Sequence, residues 1–354
     1  MPVARAHCLL GLTVLVLGCG GDQRPQASAG EGGSPARGGG AALTGAGATF
    51  PAPLYTKWFD AYAKETDVRI NYQSIGSGGG IRQFVEGTVD FGATDGPMTD
   101  QQIASVSGNV LHVPTALGAV SVTYNLPSVG KTELNFDGNL LAEIFLGRVT
   151  RWNDRRVAAL NPGVSLPAED IVVVHRSDGS GTTFIFTDYL SKQSSEWSRR
   201  VGKGTSVNWP IGLGGKGNEG VTQQVKQSPG TIGYVELIYA ISNNLPSARI
   251  RNAAGVLVQP TLASVAAAAA GARLTSETDF RVSITNAPGA DSYPISSFTW
   301  LLIRREDTDT VRAKTIGAFV SWMLEPPAQR MAADLHYAPL PRPVIELVRK
   351  RVAR

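Results

Sequence analysis

One segment narrows what this chain can fold into more than any other: Ile171 to Leu190, IVVVHRSDGSGTTFIFTDYL. Ile171 to Val174 form an unbroken apolar run, the pattern of a buried strand, and Ser177 to Gly181 has turn composition. From Thr182 onward the pairs Ile185/Tyr189 and Phe186/Leu190 keep helical i,i+4 spacing. The first turn of a helix carries unsatisfied N–H groups and a partial positive charge, so an anion placed there accepts backbone hydrogen bonds. Ser180 and Thr182 add hydroxyl donors, and Arg176 adds a planar, permanently charged fork. Taken alone, the segment fits an ordinary glycine-rich turn with an N-cap just as well.

Short apolar strands alternate with helical stretches along the rest of the chain, which predicts an α/β fold. At 354 residues the chain suits two domains rather than one core. Leu43 to Thr49 reads as a strand entering a glycine loop, and Pro51 to Lys64 as a helix with Leu54, Tyr55, Trp58, Phe59 and Tyr62 on one face. A strand near Val68 to Gln73 leads to the loop Gly76 to Gly80, a short helix Ile81 to Glu86, and a strand Val89 to Ala93. Further on come a strand Val120 to Tyr124, a helix Leu140 to Leu146, an alanine-rich helix Ala263 to Ala272 and a strand Phe298 to Ile303. A last helix, Val311 to Leu324, is ended by Pro326-Pro327. The loop Gly212 to Asn218 fails the test for a phosphate-binding P-loop. No glycine stands five before Gly215, and Gly217 occupies the place of the required Ser or Thr after Lys216. It reads as a backbone-driven loop.

The N-terminus reads as an export signal: Arg5, an apolar run from Cys8 to Leu17 too short to span a bilayer, then Leu17-Gly18-Cys19. Small and apolar residues before a cysteine resemble the lipobox of bacterial lipoproteins, in which residues 1–18 are removed and Cys19 takes the lipid; the alternative is a plain signal peptide. Residues 19–42, rich in Gly, Ala, Ser and Pro and without aromatics, cannot bury a core and would act as a tether to the bilayer. With Cys8 removed, Cys19 is the only cysteine, so a structural disulfide is excluded from the mature chain. His112, His175 and His336 are scattered without a ligand spacing, so neither a zinc site nor any cofactor is expected. A formal charge of +4 with no dense Lys/Arg stripe sets nucleic acid aside.

Thr44 to Phe50 and Gly76 to Gly80 sit between strand and helix, as Ser177 to Gly181 does. Three loops that each aim N–H groups and hydroxyls at a helix start are hard to attribute to turn chemistry alone, and they predict convergence on one anion. Asp95, ending a strand at Asp-Gly-Pro, is open to two readings. It is an Asx-turn acceptor, or it faces the anion and favours a guest that still carries a proton, because an ionised carboxylate can only accept. Phosphate is such a guest and sulfate is not. Asp178 is likewise either a turn residue or the partner that orients Arg176.

Taken in order, LTGAGATFPAP (Leu43 to Pro53), Ile75-Gly76-Ser77, VDFGATD (Val89 to Asp95), SDGSGT (Ser177 to Thr182) and WPIGLGGKGN (Trp209 to Asn218) closely resemble the phosphate-binding proteins (PstS type) of bacterial high-affinity phosphate ABC transporters. The resemblance runs from about Leu43 to the C-terminus. It implies phosphate ligands at Thr49, Phe50 through its N–H, Ser77, Asp95, Arg176, Ser180, Gly181 through its backbone, and Thr182, with Asp178 holding Arg176. The implied fold is a two-lobed α/β clamp of the periplasmic-binding class, type II, with the anion between lobes. Residues 43–117 plus 293–354 would form lobe 1, and 118–292 lobe 2. The implied protein is an exported monomer of the cell envelope that passes phosphate to membrane permease subunits and breaks no bond. Gly78 stands where relatives often carry a second serine, Thr94 and Gly96 replace a smaller pair beside the aspartate, and His175 stands where relatives often carry an arginine. None of these removes an implied ligand.

The rival from another class is an enzyme, a serine hydrolase or phosphatase, because His175 lies close to Ser180. The Gly-x-Ser-x-Gly elbow is missing, however, and a base five residues upstream on a strand end need not face the serine.

Overall fold

The computed structural model describes residues 42–130, 132–272 and 278–352 and is organised around one long strand. The export signal, Cys8, Cys19 and the tether up to residue 41 lie outside the described residues. Within them the strands are β1 (Ala42–Gly47), β2 (Arg69–Ser74), β3 (Phe91–Thr94), β4 (Val110–Asn125), β5 (Asn135–Phe136), β6 (Val172–Arg176), β7 (Leu213–Gly215), β8 (Thr231–Glu236), β9 (Arg249–Arg251), β10 (Leu257–Val258) and β11 (Ser296–Arg304). Eight of them form a mixed sheet in the order β2-β1-β3-β11-β4-β8-β6-β7, and β10-β9-β5 form a small second sheet.

The long strand is β4. Its segment from Val110 to Ala119 pairs antiparallel with β11, and its segment from Val120 to Asn125 pairs antiparallel with β8, so one strand serves both halves of the sheet. The remaining pairs of this sheet are parallel except one: β1 pairs parallel with β2 and β3, and β6 with β7 and β8, while β11 pairs antiparallel with β3 as well as with β4. Parallel neighbours need a crossover, usually a helix, which explains why strand, glycine loop and helix recur in this sequence. The helices Ala52–Thr66 and Ser77–Glu86 follow β1 and β2, and the helices Gly181–Gln193 and Gly217–Gln227 follow β6 and β7. Four helix N-termini therefore stand outside the carboxyl ends of parallel strands, where open α/β sheets hold their ligands. The result is a two-lobed α/β clamp.

The expected apolar face of the first helix is the buried one: Leu54, Tyr55, Trp58, Phe59 and Tyr62 all lie in the core, and Trp58 Nε1 donates to the Ala328 carbonyl at 2.8 Å. Three expectations need correction. The strand read as Val120 to Tyr124 is only the end of β4, because Pro114 and Gly118 mask the strand pattern before it. Proline is tolerated there by a register shift: Thr299 pairs with Ala116 and Trp300 with Pro114, leaving Thr115 as the extra residue of a bulge. The helix read as Ile81 to Glu86 starts at Ser77, through three glycines. Those glycines serve close approach rather than flexibility, since a Cβ on Gly78 would lie 3.0 Å from the Gly179 Cα and one on Gly80 2.3 Å from the Gly47 Cα. Finally, Pro326-Pro327 opens a helix, Pro326–Asp334, as well as closing one, with the ring at a position whose N–H has no intrahelical partner.

Candidate functional site

Arg176 is the last residue of β6, and its side chain is 1% exposed. Asp178 grips it from two residues on: Nε donates to Oδ1 at 2.8 Å and Nη2 to Oδ2 at 2.5 Å. This leaves Nη1, which points to Thr182 Oγ1 at 3.3 Å. Burial by itself would raise the Asp178 carboxyl; the Arg176 guanidinium and the Gly217 N–H outweigh it and hold the carboxyl below its ordinary value. Asp178 is thus both a loop residue and the partner of Arg176. Ser180 is the N-cap of the helix Gly181–Gln193, accepting the Thr183 N–H at 3.0 Å, so the ordinary capping reading also holds at this position.

The loop after β2 meets this helix start from the other half of the sheet. The Gly78 N–H donates to the Gly179 carbonyl at 2.8 Å, so the two glycine loops touch backbone to backbone. Ser77 Oγ accepts the Gly181 N–H at 3.0 Å and the Asp95 N–H at 3.3 Å. A Cβ on Gly181 would stand 2.6 Å from Asp95 Oδ2, which shows how tightly that carboxylate is set against the helix start. The Asp95 turn is closed by its neighbour: Thr94 Oγ1 accepts the Gly96 N–H at 3.1 Å. Asp95 is 1% exposed, and its Oδ1 accepts from Thr299 Oγ1 at 2.8 Å. Burial pushes its carboxyl up to about 7, against the lowering pull of Thr299, Arg176 and Ser77.

Thr49 and Phe50 lead from β1 into the first helix. The Thr49 carbonyl accepts the Tyr239 hydroxyl and the Phe50 carbonyl the Tyr337 hydroxyl, both at 2.6 Å, which fixes the peptide planes on either side. Thr49 Oγ1 accepts from Asn218 twice, from the backbone N–H at 3.1 Å and from Nδ2 at 2.7 Å. The nine residues singled out on local and family grounds, Thr49, Phe50, Ser77, Asp95, Arg176, Asp178, Ser180, Gly181 and Thr182, therefore fall in one buried cluster between the halves of the sheet.

Two members escape the sequence reading. Asn218 opens the helix Gly217–Gln227, and its loop proves to be a fourth strand-glycine-helix unit; the signal is present in Leu213 to Asn218 once the P-loop comparison is put aside. Thr299 lies within β11, far from Asp95 in sequence, and no local pattern marks it. His175, the base of the rival enzymatic reading, is turned elsewhere. Its ring stacks on Trp209 at 4.7 Å, and its Nδ1 bonds the Arg176 carbonyl at 3.0 Å.

Chemically the cluster is one-sided. A hydroxyl has one hydrogen and two lone pairs, and Ser77, Thr49 and Thr182 each already accept from two N–H groups, so what each has left to offer is a hydrogen. Guanidinium, helix N–H groups and hydroxyl hydrogens are all donors. Among the nine, Asp178 has both oxygens committed to Arg176 and the Gly217 N–H, which leaves Asp95 as the exception, an acceptor set among donors.

A model described as a PBP superfamily domain matches residues 27–327. The phosphate-binding protein PstS of Xylella fastidiosa (strain 9a5c) is 45% identical over 86% of this chain and 83% of its own length. The PstS protein of Haemophilus influenzae is 44% identical over 87% of this chain and 92% of its own. Among solved structures, a high-affinity periplasmic phosphate-binding protein (PfluDING) bound with phosphate superposes with a TM-score of 0.72 over 87% of this chain and 93% of its own, at 20% identity, a likeness of fold. With the superfamily model over most of its length and 45% of aligned positions shared with a PstS protein, this chain belongs to the PstS-type phosphate-binding proteins.

Proposed function

We propose that this chain captures inorganic phosphate between its two lobes and delivers it to the membrane permease of an ABC phosphate importer. The observation that carries the reading is the buried seat of donors with one carboxylate in it, which matches a tetrahedral oxyanion that retains one proton. Arg176 Nη1, the hydroxyls of Thr49, Ser77, Ser180 and Thr182 and the N–H of Phe50 would donate to the anion. Gly181 would share its N–H between Ser77 Oγ and the guest, and Asp95 would accept the proton of the guest. The PstS names of the relatives and the phosphate in the PfluDING structure support the choice of guest. The lobes would be 43–117 plus 293–354 and 118–292, with β4 changing partners between Ala119 and Val120 at their junction. Equilibrium dialysis of the phosphate-stripped protein against labelled phosphate tests the reading. One phosphate per chain, at saturation, is expected; uptake that never saturates would refute it.

Membrane attachment belongs to the same proposal. None of the helices among the described residues is long and apolar enough to cross a bilayer, and Cys19 at the head of the tether would supply the anchor as a lipidated residue of an exported protein. A Cys19→Ala protein should lose membrane association and keep phosphate binding, because residues 20–41 hold nothing that packs into a core. Fractionation after a salt wash is the check, and a variant that still pellets with membranes removes Cys19 from that role.

A further inference from the structure

Asn218 is fully buried at the start of the helix Gly217–Gln227, and every polar atom of its side chain is engaged. Its Oδ1 accepts the Glu236 N–H at 2.9 Å. A backbone N–H can only donate, so this bond settles which end of the amide is which and sends Nδ2 the other way. There Nδ2 donates to Thr49 Oγ1 at 2.7 Å and to Thr182 Oγ1 at 3.3 Å, while the Asn218 backbone N–H donates to Thr49 Oγ1 again at 3.1 Å. Thr49 comes from the β1 half of the sheet and Thr182 from the β6 half, so one amide spans both. With Arg176 Nη1 as the second donor to Thr182, the lone pairs of both hydroxyls are filled.

We infer that Asn218 is a positioning residue for the anion: it turns the hydroxyls of Thr49 and Thr182 into obligatory donors, one from each half of the sheet, and so selects for a guest made of acceptors. Left alone, a hydroxyl rotates and serves an acceptor or a donor with equal ease. Once two N–H groups occupy its oxygen it can only give its hydrogen, and in a buried site that preset direction spares reorganisation when the anion arrives. The inference rests on the proposed phosphate site and names the residue that sets the polarity of two of its ligands.

The test is a double-mutant cycle on phosphate affinity in the full chain, with thermal unfolding of the phosphate-free protein beside it. Asn218→Ala should weaken phosphate binding by about 10- to 100-fold, the usual effect of removing one partner from a buried hydrogen-bonded set. In a Thr49→Val/Thr182→Val background the same change should cost less than about threefold, because the hydroxyls it directs are gone. Asn218→Asp keeps the size and the acceptor for Glu236 but replaces the donor with an acceptor, so it should bind phosphate more weakly than Asn218→Ala. Its penalty should shrink at least about tenfold in the valine background, and it carries the test if the alanine variant does not fold. Equal penalties in both backgrounds would overturn the inference and leave Asn218 as an anchor for Glu236. A wild-type protein that fails to bind phosphate would instead overturn the site itself.

Discussion

Arg176→Ala should weaken phosphate binding by roughly a hundredfold to several thousandfold, the equivalent of about 3 to 5 kcal/mol for breaking a buried charged pair. The guanidinium is almost wholly buried and clamped through Nε and Nη2 by Asp178, so its remaining face cannot swing away from Thr182. Two effects add in the variant. The anion loses its fixed cation, and Asp178 is left half-buried beside the seat without its partner, a negative charge where a negative guest must enter. Arg176→Lys should recover little, because an ammonium is a point charge and cannot serve Asp178 through two nitrogens while reaching Thr182 with a third. Calorimetric titration of the variants decides it. A dissociation constant within tenfold of wild type would show that the guanidinium is not at the anion.

At about pH 9, where the carboxyl of Asp95 is ionised and phosphate still keeps one proton, Asp95→Asn should narrow the preference for phosphate over sulfate by at least tenfold, about 1.4 kcal/mol, mainly by improving sulfate binding. The carboxylate is buried, with one oxygen taken by Thr299 and the other set against Gly181. A guest with a proton gives that oxygen a donor; a guest without one meets an unmatched negative charge. An asparagine amide can donate to either anion. The same variant has a signature in stability. An acid raised to about 7 by burial keeps its proton in the folded protein while the unfolded chain loses it near pH 4. Stability of the phosphate-free wild type should therefore fall as pH rises from about 4 to about 7 and level off above, by on the order of 4 kcal/mol. The amide of the Asp95→Asn variant does not titrate, so that part of the slope should vanish and the variant should be the more stable protein at pH 8. An unchanged anion ratio would leave Asp95 without the role of discriminator.

Much of the site is legible in the sequence because its parts are local. A glycine loop between strand and helix is visible in a dozen residues, and Arg176, Ser180 and Thr182 declare their chemistry by type and position. Of the two readings of Asp178, the partner of Arg176 is the one its side chain bears out, and its other bond, from the Gly217 N–H, links two loops rather than closing its own turn. What the sequence hides is long-range or disguised. Thr299 reaches Asp95 because β11 pairs antiparallel with β3, Trp300 opposite Thr94, which sets Thr299 beside Asp95, and no window of sequence contains both strands. Pro114 and Gly118 obscure the first part of β4, the strand that joins the two halves of the sheet. Asn218 is disguised by comparison with the wrong motif: as a P-loop its loop fails, although it shares the strand-to-helix design of the other three.

A seat of donors interrupted by one buried carboxylate should separate two tetrahedral anions of nearly the same size by a single proton. Calorimetric titration of the phosphate-stripped wild-type protein with phosphate and with sulfate, side by side at about pH 9, where a carboxyl pushed up to about 7 is ionised and phosphate still keeps one proton, measures that separation directly. The expected result is saturable binding of one phosphate per chain and sulfate weaker by at least tenfold, about 1.4 kcal/mol or more; comparable affinities for the two anions, or no saturable phosphate binding, would contradict it.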